Sequence, residues 1–297
     1  MSQYRASFFD SFINRVYYFV MKNNGINKGY SIVRFNLLTS LLSLLNRNDE
    51  NDTDFVIARY FLNHLRELKD TSIYKIADEC YVSRSSVQRF IKNIGYDSFT
   101  SMKASIDEII AHEDGFIDYT DHTDYLQFIS QSITEMMKDI GKACNTTAFA
   151  KLLGYFEKAG QIVLLTAEDS SHACKVFQQQ MMTTGKLIRI ITSASHNTEL
   201  LNSLKEDDLL LVCSVTGNYA LAINDQLQDI KAKKCLITLN HTTVFEKTYR
   251  FIFYLSENIA LSSNNIVSAR NVYNNYGLTF FFDLFFHECF VRYQADK

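Results

Sequence analysis

Residues 72–99, SIYKIADECYVSRSSVQRFIKNIGYDSF, constrain this chain more than any other stretch. They read as two short helices around a tight turn. Ile73, Ile76, Ala77 and Cys80 recur at helical spacing in the first half. The segment Cys80-Tyr81-Val82 then turns. Ser83 stands where an N-cap belongs, because its hydroxyl can accept one of the backbone N–H groups that a helix start leaves unbonded. In the second half, Val87, Phe90, Ile91 and Ile94 fall on one side of a helix. Arg84, Ser85, Gln88, Arg89 and Lys92 fall on the other, with no Asp or Glu between 80 and 96. An apolar back and a front of Arg, Gln and Lys suit a helix lying in a DNA major groove, where such side chains read base edges. Gly95 supplies the C-terminal stop. Small Ala77 and a Val82 expected to be buried fit the close crossing of a helix-turn-helix, although Tyr81 takes the place of the usual turn glycine. The alternative is an ordinary surface αα-hairpin, whose solvated face would mix both charge signs.

The run Ile76-Ala77, Val82-Ser83, Val87, Arg89-Phe90, Gly95, Phe99 and Lys103 resembles the helix-turn-helix of RpiR/MurR-type bacterial transcription regulators. The Arg-Phe pair, the following Gly and then Phe-x-x-x-Lys are its most specific part. The resemblance implies an N-terminal helical DNA-binding domain followed by a sugar isomerase (SIS) domain that senses a phosphosugar. It implies a regulator of sugar metabolism, with operator DNA as partner. Base readout is expected from Arg84, Ser85, Gln88 and Arg89, with Lys92 and Lys103 on phosphates, and Ser83 and Ser86 complete the DNA-binding set.

The bulk numbers bound the remaining choices. A chain of 297 residues has room for two domains of ordinary size, and 47% hydrophobic content is that of a globular protein. The longest uncharged run, 209–224, contains Ser, Thr, Gly and Asn, so no membrane span is expected. The N-terminus lacks the pattern of a signal peptide. The six cysteines (80, 144, 174, 213, 235, 289) form no CxxC pair and read as reduced thiols of a cytoplasmic protein. Net charge is −3, whereas residues 71–106 hold five Lys/Arg against three acids. A patch of that size fits a dimeric, sequence-specific binder better than a nonspecific one.

Along the chain, 5–21 and 31–46 read as amphipathic segments. Residues 54–68 read as a helix with Phe55, Ile57, Ala58, Phe61, Leu62 and Leu65 inward, and 99–112 as a final helix. The acidic stretch 112–124 looks like a linker. Its Asp and His residues lack the spacing of metal ligands, so neither a metal nor a cofactor is expected. Beyond it, helices at 124–140 and 146–158 precede apolar runs at Ile162–Leu165, Leu187–Ile191, Leu209–Val215, Cys235–Leu239 and Phe251–Leu255. These alternate with helical stretches at 170–184, 196–204 and 219–231, and a long helix closes the chain at 265–293. Continuous apolar strands alternating with helices mean a parallel sheet covered on both faces. The expected fold is thus an all-α helix-turn-helix domain (1–112, motif at 72–95), a linker (113–123) and an α/β doubly wound, SIS-like domain (124–297).

In such a sheet, ligands sit beyond the C-terminal ends of the strands. Ser214, Thr216 and Gly217 resemble the SIS phosphate loop Ser-x-Ser-Gly-x-Thr, with Tyr219 where the last small hydroxyl should stand. The loop after the first strand keeps Ser170 but has Thr166 and Glu168 where SIS domains have glycines. Glu168, Ser170, Ser171, Ser214, Thr216, Gly217, Asn218 and Asn240 are the candidate ligand residues. Either the domain binds a phosphosugar, with Glu168 accepting sugar hydroxyls, or it serves only to dimerise. Glu168 or His241 could act as a base, but no second catalytic group is apparent, so no catalytic residue is assigned. The alternative function is a phosphosugar isomerase. The assembly expected is a homodimer or dimer of dimers, with part of the Phe-rich segment (Phe280, Phe281, Phe282, Phe285, Phe286, Phe290) at its interface.

Overall fold

The computed structural model describes residues 37–106, 109–110, 117, 120–168, 170–193, 198–259 and 271–295. The expectations for 5–21, most of the linker, and the start of the last helix lie outside these residues. The chain divides into two compact units, one ending at Thr120 and one beginning at Asp121.

The first unit is helical: α1 (Leu37–Arg47), α2 (Thr53–Asn63), a short 3-10 turn (Glu67–Lys69), α3 (Ile73–Glu79), α4 (Arg84–Asn93) and α5 (Phe99–Lys103). Its core contains Leu41, Ile57, Phe61, Ile76, Val87, Phe90 and Met102, all fully buried. The rings of Phe61 and Phe90 meet edge to face at 5.3 Å, which locks α2 against α4. Helix α2 ends earlier than its periodicity predicts. It stops at Asn63, the chain tightens into the 3-10 turn, and Leu65 is only half-buried. The final helix also breaks after Lys103.

The second unit opens with α6 (Tyr125–Cys144) and α7 (Thr147–Lys158). The sheet follows: β1 (Ile162–Thr166), α8 (Ser171–Met181), β2 (Ile188–Thr192), α9 (Thr198–Ser203), β3 (Leu209–Cys213), α10 (Asn218–Ile223), β4 (Lys233–Thr238) and β5 (Phe251–Tyr254). A π-turn (Tyr273–Gly277) leads into α11 (Leu278–Ala295). All four pairings are parallel, and the order is β2-β1-β3-β4-β5. Every residue of central strands β1 and β3 is buried, as their unbroken apolar runs require. The order reverses between β1 and β3, so the loops after these strands flank the crevice of a doubly wound sheet. The predicted helix over 219–231 is shorter: α10 ends at Ile223 and a 3-10 turn, Asp225–Leu227, takes over. On α11, Phe281, Phe282 and Phe285 are buried against their own unit, packing on the rings of Phe149, Phe156, Phe177 and Phe253. Phe280 and Phe286 are half-buried, and Phe290 is exposed.

Candidate nucleic-acid interface and ligand loops

Helices α3 and α4 form the motif. Ser72 caps α3 by accepting the Lys75 N–H, and Ser83 caps α4 by accepting the Ser86 N–H at 3.0 Å. The Ser83 hydroxyl also lies 2.7 Å from that of Ser85 and 2.9 Å from that of Ser86, so all three serines are tied into the helix start. Both helices end in the same way. Beyond α4, the Gly95 N–H reaches the Lys92 carbonyl and the Tyr96 N–H the Ile91 carbonyl, with Gly95 left-handed at φ 94°. Beyond α3, the Tyr81 N–H reaches Asp78 and the Val82 N–H reaches Ala77, with Tyr81 left-handed at φ 55°. Each is a Schellman ending, which satisfies orphan carbonyls. Tyr81 performs it with a side chain that prefers other backbone angles, and that side chain is 96% exposed.

The faces of α4 divide as its sequence predicts. Val87, Phe90, Ile91 and Ile94 are buried, whereas Arg84, Ser85, Gln88, Arg89 and Lys92 are exposed and Ser86 is half-buried. Val82 is half-buried. Lys103 departs from the phosphate role expected of it. Its ammonium donates to the carbonyls of Lys69 (2.7 Å) and Thr71 (2.8 Å) and sits over the Phe99 ring. It thereby ties α5 to the chain that leaves the 3-10 turn, whose last carbonyls need donors.

In the second unit, the loop after β1 is tied to its neighbours. Ser193 N–H donates to the Thr166 carbonyl and Glu168 N–H to the Ser193 hydroxyl. Ser170 holds the N-cap position of α8, and Ser171 is buried with its N–H on the Glu168 carbonyl. One carboxylate oxygen of Glu168, Oε2, is buried without a hydrogen-bond partner. An orphaned buried acceptor costs free energy unless a donor reaches it.

The loop after β3 is satisfied from within. Gly217 N–H donates to the Ser214 carbonyl, Ala220 N–H to the Ser214 hydroxyl, and Asn218 N–H to the Thr216 hydroxyl at 3.4 Å. Gly217 is left-handed at φ 80°, and a Cβ built there would stand 2.6 Å from the Cβ of Asn240. Glycine is therefore required twice, for its backbone angles and for the closeness of Asn240. The Asn240 amide bridges two loops, donating to the Thr216 carbonyl (3.2 Å) and accepting from the Thr242 N–H (3.0 Å). Tyr219 supplies no replacement for the small hydroxyl. It is 2% exposed, and burial holds its phenol well above the usual value. His241 bonds the Ser256 carbonyl and stacks on Tyr254. Sequence reading missed a cluster beside it: the Ser256 hydroxyl and the Tyr273 phenol both donate to Asp139 Oδ2, the latter at 2.8 Å. Asp139 lies more than a hundred positions from either donor, so no local pattern announces the cluster. Among the described residues, no group of three or more His, Cys, Asp or Glu could hold a metal ion. No described helix is long and apolar enough to cross a membrane.

The first unit presents an N-capped helix-turn-helix and the second a parallel α/β sheet. Residues 35–113 match the family described as the helix-turn-helix domain, rpiR family. The helical unit thus carries a helix-turn-helix domain of the rpiR family. It is similar to the HTH-type transcriptional regulator GlvR of Bacillus subtilis (strain 168), with 21% identity over 227 residues that span 74% of this chain and 84% of GlvR. Among solved structures it is similar to the Vibrio vulnificus NanR protein complexed with ManNAc-6P, with 16% identity and TM-score 0.44 over 88% of this chain and 93% of that one. It is also similar to the sugar isomerase domain of an RpiR transcription factor from Sphaerobacter thermophilus, with 15% identity and TM-score 0.42 over 56% of this chain and 91% of that one.

Proposed function

We propose that the chain is a cytoplasmic homodimer, or dimer of dimers, that reads operator DNA through α4 and answers to a phosphosugar held by the α/β unit. The observation that carries the DNA reading is the exposed face of Arg84, Ser85, Gln88, Arg89 and Lys92 on a helix capped at both ends. Arg84, Gln88 and Arg89 contact base edges, Lys92 contacts phosphate, and Ser83, Ser85 and Ser86 line the helix start. Lys103 holds the scaffold instead, because its ammonium is committed to two carbonyls. Gel-shift titration tests this. Losing one bidentate base contact costs about 1–3 kcal/mol and relaxes specificity at one base pair. Unchanged affinity in both Arg84→Ala and Arg89→Ala would refute the assignment.

The ligand reading rests on the orphaned Glu168 oxygen at the sheet's switch point, which suits sugar hydroxyl donors. Ser214, Thr216, Gly217 and Asn218 face the phosphate, with Ser170, Ser171 and Asn240 nearby. The role is sensing rather than catalysis, since His241 is held by Ser256 and Tyr254 and leaves Glu168 as the single candidate base. The internally satisfied loop at 214–220 favours a second reading, in which the unit only dimerises. Calorimetry with hexose and amino-sugar phosphates separates the two. Binding abolished by Ser214→Ala with Thr216→Ala supports the sensor, and silence at millimolar concentration supports the dimerisation module.

A further inference from the structure

We infer that Tyr74 is a positioning residue for base readout: its ring backs the guanidinium of Arg84 and fixes the plane in which that side chain meets a base. The inference rests on the proposal that α4 reads DNA. Tyr74 lies in the first turn of α3 and Arg84 at the first position of α4, so the pair spans the two helices of the motif. The Arg84 guanidinium carbon lies 4.5 Å from the centre of the Tyr74 ring. Tyr74 is 58% exposed, so packing into the core does not account for an aromatic residue here. Among the described residues, Arg84 has no ion pair with a carboxylate that would compete with the ring.

The chemistry follows from the shape of the group. A guanidinium is planar, with all five N–H donors in its plane. Stacking covers one face and leaves the in-plane donors available for the O6 and N7 acceptors of guanine. A free arginine side chain must lose rotamer freedom on binding, and the ring restricts that freedom beforehand. The phenol hydroxyl has no part in this, because the attraction comes from the ring. Phenylalanine at 74 should therefore serve as well as tyrosine.

The test uses the full chain and the duplex that the wild-type protein selects from a randomised pool. Tyr74→Ala should weaken that duplex by about two- to fivefold. It should relax preference at the one base pair that Arg84→Ala also relaxes, and leave the salt dependence unchanged because no charge is lost. Tyr74→Phe should restore both affinity and preference. In an Arg84→Ala background, Tyr74→Ala should have no further effect. A uniform loss on all sequences, or failure of Tyr74→Phe to rescue, overturns the inference in favour of a structural or phosphate-binding tyrosine. Normal behaviour of Tyr74→Ala while Arg84→Ala is impaired overturns it while leaving the α4 reading intact. An unimpaired Arg84→Ala beside an impaired Arg89→Ala overturns the inference alone; both variants unimpaired, or a pool that yields no preferred sequence, overturns the α4 reading as well.

Discussion

Replacing Tyr81 by glycine should stabilise the helix-turn-helix unit. Tyr81 holds φ 55°, a region in which an L side chain costs about 1–2 kcal/mol. Glycine removes that cost but adds freedom to the unfolded chain, which takes back about 0.5–1 kcal/mol. The ring is 96% exposed, so its loss sacrifices almost no burial. Both backbone hydrogen bonds of the Schellman ending remain available to glycine. The net gain is about 0.5–1 kcal/mol. Tyr81→Ala provides the control, because alanine retains a Cβ and the same strain; its effect should lie within about 0.5 kcal/mol of zero. Hydrogen exchange of the core amides of α3 and α4 in the full chain reads this unit separately from the α/β unit. Protection should rise about two- to fivefold in Tyr81→Gly and stay level in Tyr81→Ala. Equal effects in both variants, or a loss of protection in Tyr81→Gly, would mean that the backbone at 81 is not strained.

Other outcomes follow from the same geometry. Ser83→Ala removes the cap on α4 and two hydroxyl contacts, and should cost about 1 kcal/mol by thermal denaturation. Lys92→Ala should weaken all DNA sequences alike and lower the slope of affinity against salt by about one. Gly217→Ala meets both an unfavourable φ and the Asn240 side chain, so the melting temperature of the α/β unit should fall, and Asn240→Gly should recover part of the loss. Burial pushes the Cys80 thiol up to about 11 and those of Cys235 and Cys289 up to about 12. A group whose folded value lies above its unfolded one gives stability that is present below the unfolded value and lost as pH rises past it. Denaturant midpoints should therefore decline above pH 9, the ordinary value of these thiols, and a disulfide reagent at neutral pH should react with them only after unfolding.

The motif was legible because one period decides it. The 3.6-residue repeat of Val87, Phe90, Ile91 and Ile94 meets no competing signal, and the central strands β1 and β3 announce themselves as apolar runs. Side chains whose role depends on a distant partner were not legible. Lys103 looks like a free surface cation until the carbonyls of Lys69 and Thr71 are brought to it. Tyr219 offers a hydroxyl in sequence, but its apolar body decides its place and takes the oxygen inward. Tyr74 stands on the helix before the reader, and only the crossing of α3 and α4 makes it a neighbour of Arg84.

The Asn240 carboxamide gives the two loops at one end of the sheet a common hinge pin. Its nitrogen grips the carbonyl of Thr216 and its oxygen grips the N–H of Thr242. Any guest that draws the 214–217 backbone toward itself must pull against this pin, and the strain passes directly to the chain after β4. The 3-10 turn that follows, Thr243–Lys247, would then register occupancy of a loop some twenty-five residues earlier in the chain. Proteolysis or exchange at 242–247 should thus report a guest at 214–217, and Asn240→Ala should uncouple the two while leaving both loops in being.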